Sequence, residues 1–386
     1  MNITDEKKIK VLFFARWYPN AENQISGIFI KRHAQAVSLF CDVCILYIHF
    51  GTKRQKTIVE YAIEDRIKTI RVYPKSMRSR NKIFQYLNFI VNSYRGIKIV
   101  KKTFGRPDII HVNVTLPMGI IAVALDIFKG IPYVVTEHFS EFANQTKIFK
   151  NAILLKIILK RARKILPISL YLKQSIEKFY PSKKFLVIPN TIDTEIFSHK
   201  NSIHNPSKKQ IIIVARLLDK VKNISGIIEA IYELSKTRND FILNIFGDGP
   251  DRNYLENLAT QLGINNTFVF FQGYSSNTEI AKKMRNSDFF ILNSNYETFS
   301  VVSIEALSSG IPVISTRCGG PEEFINENVG ILIEKGDKEQ LIDAIHYMLD
   351  NSNSYDSKSL HEYAKNRFGI EIIGKQIYDI YLSVLK

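Results

Sequence analysis

The stretch from Ser287 to Phe324, SDFFILNSNYETFSVVSIEALSSGIPVISTRCGGPEEF, restricts the fold of this chain more than any other part of it. Asp288 to Leu292 is a short apolar run of strand type, and it stops at the turn-forming residues Asn293, Ser294 and Asn295. After Glu297 the spacing becomes helical, with Val301, Ile304 and Leu307 on one inward stripe and Ser300 or Thr298 placed to cap. A strand, a loop and a helix start follow in that order, and in parallel α/β sheets the loops at strand C-termini bind ligands.

A helix start leaves backbone N–H groups without intrahelical partners, here those of Phe299, Ser300 and Val301. Together with the helix dipole they favour a phosphate. Glu297 lies beside that position, and Glu305 follows eight residues later, about two turns along. Two carboxylates repel a phosphate but accept hydrogen bonds from vicinal hydroxyls. A nucleotide sugar could therefore set its phosphate on the amides, its ribose on one Glu and its hexose on the other. The alternative is that both Glu are solvated helix residues.

The residues around this pair narrow the choice. Glu297-Thr-Phe-Ser-x4-Glu305-Ala-Leu, then Gly310-Ile-Pro-Val-Ile, then Gly319-Gly320-Pro321-Glu322-Glu323 resembles the donor-site signature of family 4 glycosyltransferases, retaining enzymes with two facing Rossmann-like domains. The resemblance is most specific from about Ile211 to Asp337. One departure is Ser300, where the family commonly has Gly beside the sugar.

The 386 residues are enough for two α/β domains with cores of ordinary size. No apolar run approaches the roughly 18 residues of a spanning helix, and three cysteines cannot pair evenly; both point to a cytoplasmic protein. Cys41 and Cys44 form a C-x-x-C leading into a strand-like run, a poor context for redox or zinc chemistry. Charge is divided sharply. Residues 1–190 hold 33 Lys and Arg against 12 Asp and Glu, a net of +21, whereas residues 191–386 hold 20 against 25, a net of −5. Nucleic acid or an anionic membrane could each account for the basic half.

Lys8 to Phe14 reads as a buried first strand, followed by a loop through Pro19 and Gly27 into a helix near Ile28. Ser26-Gly27 resembles the family's first loop, which commonly has two glycines; a simple turn is the other reading. Residues 75–102 mix Arg78, Arg80, Lys82, Arg95, Lys98, Lys101 and Lys102 with aromatic and aliphatic residues, and residues 151–164 combine an apolar side with Lys156, Lys160, Arg161, Arg163 and Lys164. Either segment could lie on an anionic bilayer, and either could be a solvated or core-facing helix. Two strand-like runs end in polar groups, Asp108 to Asn113 and Tyr133 to His138. By resemblance His138 lies near the transferred sugar, whereas His111 is a packing residue. Phe197 to Lys209 is polar and reads as a linker. Beyond it, Arg216 and Lys222 resemble the family's basic pair on the donor diphosphate, although Asn223 stands where the family usually has Gly. Gly247-Asp248-Gly249 is a partial dinucleotide motif with Arg252 in its last position, a weak sign of a dinucleotide.

The expected fold is α/β, two facing Rossmann-like domains of the GT-B type with a deep cleft between them. Residues 1–195 form the acceptor domain, 205–365 the nucleotide-sugar domain, and 366–386 a helix crossing back to the first. The resemblance implies a retaining hexosyltransferase moving a sugar from a UDP- or GDP-sugar to a glycan or lipid-linked hydroxyl in cell-surface polysaccharide synthesis, at the inner face of the membrane. His138 and Glu297 would serve catalysis; Gly27, Arg216, Lys222, Phe299, Ser300, Val301 and Glu305 would hold the donor. The nucleotide sugar is a co-substrate, no cofactor is implied, and no metal is expected because no Asp-x-Asp occurs. Rival readings are a phosphorylase or epimerase of the same fold, separable by free-nucleotide release against inorganic-phosphate dependence, and a nucleic-acid-binding protein. No RRM, KH or helix-turn-helix pattern supports the last, so no nucleic acid is expected.

Overall fold

The computed structural model describes residues 8–49, 54–76, 82–138, 142, 152–199 and 207–386, so Arg78, Arg80, Asn151 and residues 200–206 of the expected linker lie outside the described residues. The chain divides into two compact units, Met1–Thr191 with Ile370–Lys386, and Ile192–Gly369. The chain passes between units just before Ile192 and just after Gly369, whose backbones bridge each other. Phe197, expected to open the linker, is instead fully buried in the second unit, where its carbonyl accepts from Ser308 Oγ at 2.5 Å.

The first unit is a seven-stranded sheet of β1 (Lys10–Ala15), β2 (Asp42–Ile48), β3 (Ile58–Glu64), β4 (Ile67–Tyr73), β5 (Ile109–Asn113), β6 (Tyr133–Glu137) and β7 (Ile165–Pro167), in the order β3-β4-β2-β1-β5-β6-β7. All neighbours are parallel except β3 and β4. Its helices are α1 (Ile28–Ser38), α2 (Lys82–Thr103), α3 (Met118–Lys129), α4 (Ala152–Arg161), α5 (Leu170–Phe179) and the C-terminal Ile370–Leu385. Helices on both faces explain why β1 reads KVLFFA and β5 IIHVN, near-continuous apolar runs without alternation. The C-terminal helix packs on α1 so closely that a Cβ on Gly374 would stand 2.2 Å from the Ala36 carbonyl oxygen.

The second unit has a six-stranded, wholly parallel sheet of β8 (Lys209–Val214), β9 (Phe241–Phe246), β10 (Val269–Gly273), β11 (Phe289–Leu292), β12 (Val313–Thr316) and β13 (Gly330–Ile333), in the order β10-β9-β8-β11-β12-β13. Between them run α6 (Asp219–Lys222), α7 (Ile224–Ser235), α8 (Arg252–Gln261), α9 (Asn277–Arg285) and α10 (Val301–Ser308); α11 (Lys338–Asn351) and α12 (Ser357–Phe368) follow, so the C-terminal helix is α13. Each sheet reverses its winding once, between β1 and β5 in the first unit and between β8 and β11 in the second. At such a point the loops leaving adjacent strands diverge and open a crevice at their C-terminal ends.

Candidate active site

In the second unit the crevice is walled by the loops after β8, β11 and β12, and side chains and backbone stitch them into one block. Asn295 donates its backbone N–H to Val221 O (2.7 Å) and Nδ2 to Lys220 O (2.9 Å), while Asn293 Nδ2 reaches Asn223 O (3.1 Å). On the other side Glu297 N donates to Cys318 O (2.8 Å), Gly320 N to Glu297 O (3.0 Å) and Thr316 Oγ1 to Ser294 O (2.6 Å). These contacts fix Glu297. Its Oε1 accepts from Lys222 Nζ and from Ser294 Oγ at 3.2 Å, and the Lys222 and Glu297 side chains are 19 and 15% exposed. Lys222 and Glu297, expected on the phosphate and the sugar respectively, are thus one ion pair at the mouth of this crevice. Arg216, two residues beyond the end of β8, is exposed.

The start of α10 is confirmed as a helix N-terminus but not as a capped one. Ser300 occupies the N-cap position with φ 71° and ψ 81°, its side chain makes no cap bond, and its Oγ pairs instead with Ser303 Oγ at 2.8 Å. The left-handed backbone points that hydroxyl away from the first-turn amides, which corrects the capping role expected for it. Phe299 beside it is buried against Phe324 and Phe368 at centroid distances of 5.4 and 5.7 Å, Val301 is half-buried, and Glu305 is buried one turn into the helix. A Cβ on Gly320 would fall 2.4 Å from Thr298 O and 2.5 Å from Phe299 Cα. Gly320 is therefore what lets the loop after β12 close beneath the helix start.

Gly247 and Gly249 do a different job. A Cβ on Gly247 would stand 1.9 Å from Ala215 O and one on Gly249 2.3 Å from Leu217 O, so this Gly-rich turn admits the backbone that carries Arg216. Their packing role accounts for the partial dinucleotide motif. Asn223 adopts the left-handed conformation (φ 46°) that a glycine would, as asparagine tolerates.

In the first unit the crevice lies between β1 and β5. Gly27 precedes α1 with φ 67°, and a Cβ there would lie 2.2 Å from Trp17 O, so close backbone approach requires glycine. His138 follows β6 and is buried, its Nε2 3.4 Å from Asn113 Oδ1 and its ring 4.6 Å from Phe29 and 5.5 Å from His33. Burial, reinforced by the neighbouring His33 and His111, holds its imidazole pKa well below the ordinary value, so it is neutral at pH 7. His33 is fully buried with Nε2 donating to Pro189 O at 3.0 Å, and burial pushes its pKa down to about 4. Glu137 is buried and accepts from Thr115 Oγ1 (2.6 Å), Thr115 N (3.0 Å) and His138 N (3.0 Å), which fixes the loop bearing His138. His111 is a packing residue, bonded to Tyr381 Oη (2.5 Å) and Thr136 Oγ1 (2.6 Å). Three side chains escaped the sequence reading as site residues: His33, Asn113 and Glu137. Position at a strand's C-terminal end was the available signal for the last two; nothing in the sequence brings His33 to His138.

Residues 43–196 match the model of glycosyltransferase family 4, and residues 195–367 that of glycosyl transferases group 1. The chain belongs to the family 4 glycosyltransferases. It is 26% identical over 292 residues to the N-acetyl-alpha-D-glucosaminyl L-malate synthase of Bacillus anthracis, covering 72% of this chain and 75% of that one. Among solved structures, the sucrose-phosphate synthase of Thermosynechococcus elongatus superposes with a TM-score of 0.76 at 19% identity, over 98% of this glycosyltransferase and 99% of that chain. Anabaena HepE, solved with UDP and glucose, does so with a TM-score of 0.74 at 18% identity, over 97 and 100%. At such identities the two structures speak for the shared GT-B fold, as the sequence reading expected.

Proposed function

We propose that this glycosyltransferase moves a sugar from a nucleotide sugar to the hydroxyl of a glycan or lipid-linked acceptor, with retention at the anomeric carbon. One observation carries the reading: in the second unit, Lys222 and Glu297 form an ion pair in a crevice that also bears an uncapped helix start and the buried Glu305. A diphosphate meets the amides of Phe299, Ser300 and Val301 and the charges of Arg216 and Lys222; vicinal hydroxyls meet Glu297 and Glu305. Arg forks onto two oxygens and Lys supplies a mobile charge, so the leaving nucleotide is neutralised without a metal. In the first unit His138, neutral by burial, is suited to donate or accept one hydrogen bond rather than to act as a charged acid. The protein's share of catalysis is then positioning and charge stabilisation.

Two relatives support this reading by what they handle. HepE was solved with UDP and glucose, and the Bacillus anthracis relative is named for making N-acetyl-alpha-D-glucosaminyl L-malate. The acceptor side falls to the basic first unit, with Gly27 letting backbone approach, and a lipid-linked acceptor would place the enzyme at the cytoplasmic membrane face in polysaccharide synthesis. Among the described residues no helix is long and apolar enough to cross a membrane, so attachment would be peripheral. A thermal-shift screen with UDP, GDP and ADP and their sugars tests the donor reading, since a site filled at 100 times its Kd adds about 2.7 kcal/mol. No shift with any of them at millimolar concentration would refute it. The anomeric configuration of the product, read by NMR, tests retention.

A further inference from the structure

Helix α2 turns one side to the first sheet and leaves the other bare. Phe89, Asn92, Ser93 and Val100 are buried, and Gly96 sits so close that a Cβ would be 2.6 Å from Leu46 Cδ1. On the opposite side Phe84, Leu87, Val91 and Tyr94 recur at spacings of three and four and are 49–59% exposed. That is an apolar stripe facing outward, the reverse of what a surface helix of a globular unit presents. The edge strand β3 continues it. Val59, Tyr61 and Ile63 are 39, 46 and 65% exposed and stand opposite Val72, Ile70 and Lys68 of β4. Lys68 Nζ donates to Thr103 O at the end of α2, so these three side chains project from the sheet face on which α2 lies.

Charge identifies what covers this surface. Helix α2 contains Lys82, Arg95, Lys98, Lys101 and Lys102 and no acidic residue, and Lys98 Nζ lies 4.7 Å above the Tyr94 ring where stripe and basic end meet. Glu60 and Glu64 belong to the other face of β3, bonded to Tyr73 and Arg71. Two copies of so basic a face repel each other, whereas an anionic bilayer accepts both its halves, apolar side chains entering the headgroup boundary and lysines meeting phosphates. Helix α4 is a poorer docking element than its sequence suggests: Arg161 and Arg163 close on the buried Asp126 at 2.7 and 3.3 Å.

We propose that the outer stripe of α2 together with the β3 edge forms one surface by which the enzyme seats on an anionic lipid bilayer, apolar side chains inserted and Lys98, Lys101 and Lys102 on the headgroups. This rests on the lipid-linked acceptor reading and names the contact it requires. The test is flotation of the full chain with phosphatidylcholine vesicles with and without phosphatidylglycerol, at low and high salt. The wild type binds only the anionic vesicles. L87S/V91S, Y61S/I63S and K98Q/K101Q/K102Q each lower the partition coefficient at least tenfold, while F128S, at a 77% exposed position of α3, leaves it unchanged. Failure to bind anionic vesicles at low salt overturns the proposal, as does wild-type partitioning of both apolar variants. Conversion of a dimer to monomer by L87S/V91S, or competition by RNA, would assign the face to another partner and overturn it equally. Nucleotide-induced thermal stabilisation, measured on every variant, verifies folding and reads the sugar-transfer proposal separately: its absence with vesicle binding intact counts against the donor site and leaves this surface standing.

Discussion

Glu297→Gln separates two consequences of the Lys222–Glu297 pair. In this crevice Lys222 is paired with Glu297, with both side chains largely shielded, so a diphosphate must compete with a carboxylate for the same ammonium. Glutamine keeps the shape and one acceptor oxygen but removes the charge. Lys222 stays charged, so its bond to the glutamine oxygen remains charge-assisted and what is lost is the ion-pair attraction, about 1 kcal/mol for a solvent-screened pair, which is freed for the incoming phosphates. At 1.4 kcal/mol per decade this is about a fivefold tighter Kd for the nucleoside diphosphate. Turnover moves the other way, falling at least tenfold, because the group facing the sugar has lost its charge. Isothermal titration with UDP or GDP, beside single-turnover transfer, reads both; Lys222→Ala, which weakens the same nucleotide, supplies the reference. If Glu297→Gln weakens the nucleotide several-fold, the pair preorganises Lys222 rather than competing for it, and the reasoning fails.

The remaining predictions concern the same block and the buried histidines of the first unit. Gly320→Ala places a methyl within 2.5 Å of backbone in the loop before α10, so it should cost about 1–3 kcal/mol in urea unfolding and lower donor affinity beyond what instability explains; wild-type affinity would contradict the role given to that loop. Arg216→Ala and Glu305→Ala should each lose roughly 1.5–3 kcal/mol of nucleotide-sugar binding while remaining folded, and unchanged titrations in both would remove the donor site from this crevice. EDTA should leave the intrinsic transfer rate largely intact; strict restoration by Mg or Mn would argue against the charge clamp. Burial depresses the pKa of His33 to about 4 and those of His111 and His138 well below their ordinary value. For His33 the stability is complete above about pH 6.5 and is lost as pH falls toward 4, by up to about 1.4 kcal/mol per pH unit, and His111 and His138 act in the same direction. His33→Gln should flatten that slope in urea titrations between pH 7 and 5.

What was legible followed from burial. Strands covered on both faces, such as β1 and β11, are unbroken apolar runs, and the loops after β11 and β6 begin where such a run meets Asn293 and His138. β3 stayed hidden for the converse reason. It is an exposed edge strand, and it joins β4 through Asp65 and Arg66 at φ 50° and 66°, a two-residue turn that usually announces itself with Asn-Gly. The Lys222–Glu297 pair and the pairing of Arg161 and Arg163 with Asp126 also left no trace, because each joins residues distant in sequence through loops whose course depends on packing.

Two left-handed residues show how this chain departs from a glycine-built site. Asn223 and Ser300 stand at positions where the family resemblance leads one to expect glycine, and both keep a positive φ. Asparagine bears that conformation at little cost; serine bears it less well, at about 1–3 kcal/mol. Such strain persists only where its surroundings leave no other choice. Here Phe299 is clamped on one side by Phe324 and Phe368, Ser303 bonds the Ser300 hydroxyl on the other, and the Gly320 backbone closes from below. The aromatic cluster therefore sets the direction of the first amides of α10, so that in the proposed donor site the geometry would depend on a buried contact with Phe368, the end of α12, as much as on Glu297 and Glu305.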